Sequence, residues 1–160
     1  MSKNRYRRLD LDELKELEPE FINFLAVNGI EASEWEQIKA EDTAKMNEFV
    51  DMFSDMVFDK ILSEIEYLNF SADGKFYYFK CDDDILRLIV IEMESEESEY
   101  ASIYSAEKEY TKERKTELFD MLQMGCEISD GAQYKQAEEN LNDGPGRKSD
   151  WQEIPAFQNV

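Results

Sequence analysis

Apolar positions along the chain follow a helical spacing first and a strand spacing later. After Asp10 and Glu13, which stand as the two ends of a capping box, Leu14, Leu17, Phe21, Phe24 and Leu25 recur every three or four residues. Pro19 falls inside this pattern and has no backbone N–H to give the preceding turn. It therefore either opens a second helix or kinks one continuous helix. Asn28-Gly29 is a stop signal. Ser33 and Glu36 repeat the capping-box spacing, which predicts a short helix over about residues 33–41. Asp42 is placed to cap the longest helix, about residues 42–64. There Met46, Phe49, Val50, Phe53, Met56, Val57 and Ile61 form one broad apolar stripe without a Gly or Pro.

The period then changes. Residues 65–70 alternate large side chains, Ser71 to Gly74 read as a turn, and Lys75 to Cys81 carries Phe76, Tyr77, Tyr78 and Phe79. Asp82-Asp83-Asp84 is a second turn, and Ile85 to Met93 is rich enough in Ile, Leu and Val for a covered strand. These runs predict an antiparallel meander of about three strands. Glu94 to Glu99 reads as a solvated loop, with a short extended piece at Tyr100 to Tyr104. Residues 105–125 read as a helix with Leu118, Met121 and Leu122 on one face and Gly125 as its stop. Beyond Glu127 the pattern thins to a weak helix bearing Tyr134, Ala137 and Leu141, then to Trp151, Ile154 and Phe157. The expected fold class is α+β: N-terminal helices, the meander, and a C-terminal helix packed on the sheet. One compact domain spans residues 1–126, and 127–160 form an irregular tail that either docks or stays mobile.

Several segments resemble a small family of bacterial proteins of unknown function. They are Tyr6-Arg7-Arg8-Leu9, the stretch from Glu20 to Ile30, the helix from Phe53 to Leu62, and Phe79-Lys80-Cys81. The likeness covers roughly residues 5–93, with Pro19 as a departure from an uninterrupted helix. It implies a bacterial cytoplasmic location and a single domain, and it brings no activity, cofactor or catalytic residue.

Composition narrows the chemistry. The sequence has 38 acids, 18 bases and a formal net charge of -20, a field that repels nucleic acid and anionic membrane. Histidine is absent, which removes Ser-His-Asp and Cys-His catalysis and imidazole zinc sites. Two cysteines, Cys81 and Cys126, cannot supply an all-thiolate zinc site, and read as buried reduced thiols. No apolar run has the length of a membrane span, and the basic start lacks the apolar core of a signal peptide, so a cytoplasmic location is expected.

One cluster stands out. Glu48, Asp51, Asp55 and Asp59 lie three or four residues apart and so share one face of the long helix. The row reads as a Mg²⁺ or Ca²⁺ site, as a ridge for a basic partner, or as a solvated face. Met52, Phe58 and Leu62 fall on the shoulders of this row, outside the main stripe. Either the helix is packed on two sides within the chain or a protein partner or second copy covers them. The basic start (Lys3, Arg5, Arg7, Arg8) pairs with the acidic surface or stays solvated; phosphate binding is the lesser reading. The Asp82 triplet lacks the spacing of a calcium loop, and the aromatic run at 76–79 lacks the basic surround of an RNA-stacking sheet. The expectation is a non-enzymatic interaction or regulatory module with no cofactor. Alternatives are a carboxylate-based metal protein or enzyme at Glu48, Asp51, Asp55 and Asp59, and an acidic mimic of nucleic acid.

Overall fold

A computed structural model describes residues 4–93, 101–143, 147–148 and 151. The chain divides into two compact units, Met1–Ile61 and Leu62–Val160.

The first unit holds α1 (Leu11–Glu16), α2 (Glu18–Val27), α3 (Ala32–Glu41) and most of α4 (Thr43–Glu64). The capping box forms: the Asp10 carboxylate accepts the Glu13 N–H at 2.9 Å, and the Glu13 carboxylate accepts the Asp10 N–H at 3.0 Å. Pro19 sits in the first turn of α2, where a missing N–H costs nothing, so the pattern is two helices. Gly29 ends α2 with φ 76°, a conformation that favours glycine. Ser33 is not the cap of α3, because Glu31 takes that place without a side-chain bond. Asp42 caps α4 as its position suggests, accepting the Lys45 N–H at 3.0 Å. The core of this unit is aromatic. Phe53, fully buried, meets Phe21 at 4.9 Å and Phe24 at 5.5 Å, and Trp35 stands edge-on to Phe21 at 5.1 Å.

The buried face of α4 differs from the stripe read in the sequence. It runs through Val50, Phe53, Ser54 and Phe58 to Leu62, and leaves Met56 and Ile61 exposed. A serine inside a helix argues against burial, which moves the expected stripe away from Ser54. Here the hydroxyl is satisfied on both counts, donating to the Val50 carbonyl at 2.7 Å and accepting the Leu9 N–H at 3.0 Å. Phe58 and Leu62 thus belong to the buried side of the helix and not to its shoulder.

The second unit is built on β1 (Tyr67–Ala72), β2 (Lys75–Cys81), β3 (Ile85–Met93), β4 (Ala101–Glu109), β5 (Glu127–Ser129) and β6 (Arg147–Lys148), with α5 (Arg114–Gln123) and α6 (Ala132–Asp143). The strand order is β5-β1-β2-β3-β4-β6. All pairs are antiparallel except the two-residue β6, which runs parallel to β4. The fold class is α+β, with a wider sheet than a three-stranded meander. Residues 105–109, read as helical, are the end of β4; the weak helix read around Tyr134, Ala137 and Leu141 is α6, and the unread β5 precedes it. The expected loop at Glu94 to Glu99 and the anchors Ile154 and Phe157 lie outside the described residues.

The β1–β2 hairpin closes on Asp73 and Gly74, at φ 52° and 76°, the backbone that a two-residue turn with this twist requires. One sheet face is densely buried through Leu68, Tyr77, Phe79, Leu86, Leu88, Val90 and Tyr104. Trp151 joins it, its ring 6.1 Å from Phe79. On the other face Tyr67 and Ile89 form a cluster with Tyr134 and Ala137 of α6. Gly131, at φ 88°, begins that helix so close to Tyr67 that a Cβ would stand 2.5 Å from the ring.

Candidate functional site

Two charged arrangements in the second unit have a structural account. Arg114 donates to the carbonyls of Leu62, Ile65, Cys81 and Asp82 at 2.6–3.2 Å, tying the end of α4 to the β2–β3 turn. Glu117 is fully buried and accepts from the Lys108 ammonium, the Thr111 hydroxyl and the N–H groups of Thr111 and Lys112. Burial raises its pKa, but those donors outweigh burial and hold it below the ordinary value. Burial pushes both thiols, Cys81 and Cys126, up to about 12, so neither is set up as a nucleophile. A groove of about 530 Å³ is lined by Lys80, Arg87, Glu107, Tyr134 and Glu138. Its Arg87 is already committed to Asp82 at 2.9 Å and Glu107 at 2.7 Å. In the first unit an open groove of about 870 Å³ is largely apolar, lined by Leu11, Leu14, Phe21, Trp35, Met46 and Val50.

The acidic row of α4 is different, because its carboxylates converge on one short segment, residues 4–9. Residues 4–9 form an N-terminal arm along the row. The Arg8 guanidinium grips Asp51 with two bonds, 2.6 Å and 3.0 Å, and reaches Asn47 at 3.2 Å. One turn along, both oxygens of Asp55 accept the Arg5 N–H at 3.0 Å, and Asn4 adds a bond to the Asp51 carbonyl at 3.2 Å. Another turn along, Asp59 accepts the Tyr6 hydroxyl at 2.7 Å and pairs with Arg5 at 3.6 Å. Four-residue spacing sets the aspartates about 6 Å apart along one helix face, and the bend at Arg5 and Tyr6 brings both residues to the Asp55–Asp59 end of the row.

An apolar flank completes the contact. The Phe58 ring lies 6.1 Å from Tyr6 and has the Arg7 guanidinium 4.9 Å from its centre. Arg7 in turn holds Glu13 with bonds of 2.7 Å and 2.9 Å, and that hydrogen bonding with the Asp10 N–H brings the Glu13 carboxyl down to about 2. Leu9 anchors the arm's end; it is buried and its N–H meets the buried Ser54. The polar contacts differ in depth: the Asp51 side chain under Arg8 is 15% exposed. Arg5 and Asp59 are 45% and 37% exposed, and such pairs contribute about 0–1 kcal/mol each. The arm is therefore held by a sum of weak bonds, with Leu9 as the only buried anchor among its described residues.

The sequence-derived residues now have places. Asp51, Asp55 and Asp59 come together under the arm, and Glu48 stays exposed at the row's start. The three aspartates hold protein donors, and among the described residues no group of three His, Cys, Asp or Glu side chains is placed to hold a metal ion. Phe58 is buried beside the chain's own arm, Leu62 is fully buried, and Met52 is exposed. The arm residues that build the site, Asn4, Tyr6 and Leu9, carry no signal beyond the basic run around them. No helix among the described residues is long and apolar enough to cross a membrane.

Comparison with known proteins gives a family and no activity. No curated protein and no solved structure matches the chain. A model described as a family of unknown function (DUF6495) matches residues 1–102 and 93–142. That match spans the arm, the acidic row and strands β1 to β5, and the chain belongs to this family of unknown function.

Proposed function

We propose that this protein is a non-enzymatic interaction module, and that the acidic row of α4 is the surface that recognises a basic protein partner. One observation carries the reading: Asp51, Asp55 and Asp59, about one helical turn apart, each receive a donor from the same basic segment, residues 4–9. A row that holds one such segment has the spacing to hold another. The charge of -20 adds steering, drawing cationic partners and repelling nucleic acid. The buried, high-pKa thiols and the absence of histidine support a binding role over a catalytic one.

The test is comparative capture. The full chain and an Asp55→Asn/Asp59→Asn variant are used as bait in an extract of the native host, with reciprocal tagging of whatever is retained. The expected result is a cationic protein held by the parent, released by salt and lost from the variant. Identical retention by both baits would overturn the reading.

A further inference from the structure

We infer that the N-terminal arm is a pseudo-ligand bound in cis, and that the partner segment is a basic–aromatic peptide of the arm's own chemistry, Arg-Tyr-Arg-Arg. This rests on the reading of the α4 row as a recognition surface, and it names both the partner's chemistry and the regulation of the site.

The arm shows what the row selects. It takes a bent backbone whose Arg5 and Tyr6 N–H groups point at Asp55, one arginine on Asp51 and another on Asp59, and a tyrosine whose hydroxyl reaches Asp59 while its ring lies beside Phe58. Lysine-only segments lack the two-pronged bond that Arg8 makes to Asp51 and the ring that faces Phe58. The arm is also built to leave. Its contacts between Asn4 and Arg8 are part-buried or exposed and mostly charged, whereas the buried contact is at Leu9. Leu9 can stay in place as a hinge while residues 4–8 swing off. Ion pairs of this exposure weaken as salt rises, and a competing segment of the same charge replaces them like for like. An occupied row lowers the apparent affinity for a partner in proportion to the fraction of time that the arm is open.

The experiment uses the full chain and a labelled peptide of residues 4–9, Asn-Arg-Tyr-Arg-Arg-Leu. An Arg5→Glu/Tyr6→Ala/Arg8→Glu variant keeps Leu9 and repels its own arm from the row. Its circular dichroism and melting curve check that it folds, and a milder Arg5→Ala/Tyr6→Ala variant serves if it does not. The arm variant is expected to bind the peptide at least about tenfold more tightly than the parent, as release of a closed arm requires. Binding should fall with salt, vanish on adding Asp55→Asn and Asp59→Asn, and exceed that of a scrambled peptide of the same composition.

Equal affinity of parent and arm variant, or of true and scrambled peptide, would overturn the inference. So would a parent that doubles its mass with concentration through the same residues, since the row would then take a second copy's arm. If the arm variant ignores the peptide yet still captures a basic protein through Asp55 and Asp59, the pseudo-ligand fails and the interaction module stands. If it captures neither, both fail.

Discussion

At the scale of single residues, stability rests on a few groups whose environment leaves no alternative. Gly131 combines φ 88° with the ring of Tyr67 where a Cβ would go. Gly131→Ala is expected to lose about 2 kcal/mol or more, since strain and overpacking act together. A denaturant midpoint unchanged from the parent would contradict this. Glu117 is charged, buried and held by four donors, so Glu117→Gln weakens charge-assisted bonds without emptying the site. A loss of about 1–3 kcal/mol is expected in urea unfolding. The pH dependence has a definite sign. Both Glu117 and Glu13 have pKa values lowered by folding, so their contribution is full above the unfolded carboxylate value of 4.5. It is lost as pH falls, for Glu13 between about 4.5 and about 2. Stability should therefore decline through that window, and Arg7→Ala should flatten part of the decline.

At the scale of elements, α4 is the centre of the molecule's chemistry. Its existence was legible from an unbroken apolar period, and its cap from Asp42. Its orientation was not, because the buried Ser54 hydroxyl accepts from the N–H of Leu9, a partner 45 residues away in sequence. Pairing of the basic start with the acidic surface was legible from its charge, but which acids it takes was not, because Asp51, Asp55 and Asp59 lie 43–54 residues along the chain and no local pattern announces them. Strand β4 was missed for a different reason. Ala106, Glu107, Lys108 and Glu109 are helix formers by composition, yet pairing with β3 overrides that preference. Strand β5, three residues long, leaves almost no period to read. For α4 itself, Phe58→Ala should destabilise by about 3–5 kcal/mol, the usual cost of deleting a buried ring, and should loosen the arm that covers it. Thermal melting with and without millimolar Mg²⁺, at matched ionic strength, should give the same midpoint, because the aspartates are already engaged.

At the scale of the whole molecule, a charge of -20 repels itself, and that repulsion outlasts any local pair. Raising NaCl from about 0.05 M to about 0.5 M should raise the calorimetric melting temperature, since a Debye length falling from about 14 Å toward 4 Å screens distant acids most. A falling melting temperature would mean that the ion pairs along the arm outweigh the repulsion. The two-unit division gives the chain a convenient asymmetry. Both cysteines, buried and weakly acidic, lie in Leu62–Val160, and each unit holds one of the two tryptophans, Trp35 and Trp151. The chain thus carries its own reporters. Slow labelling by a thiol reagent times the opening of the second unit alone, and Trp35→Phe makes the remaining fluorescence report on that unit too. Comparison with the parent then reveals whether the helical unit opens at the same moment, without a single foreign dye.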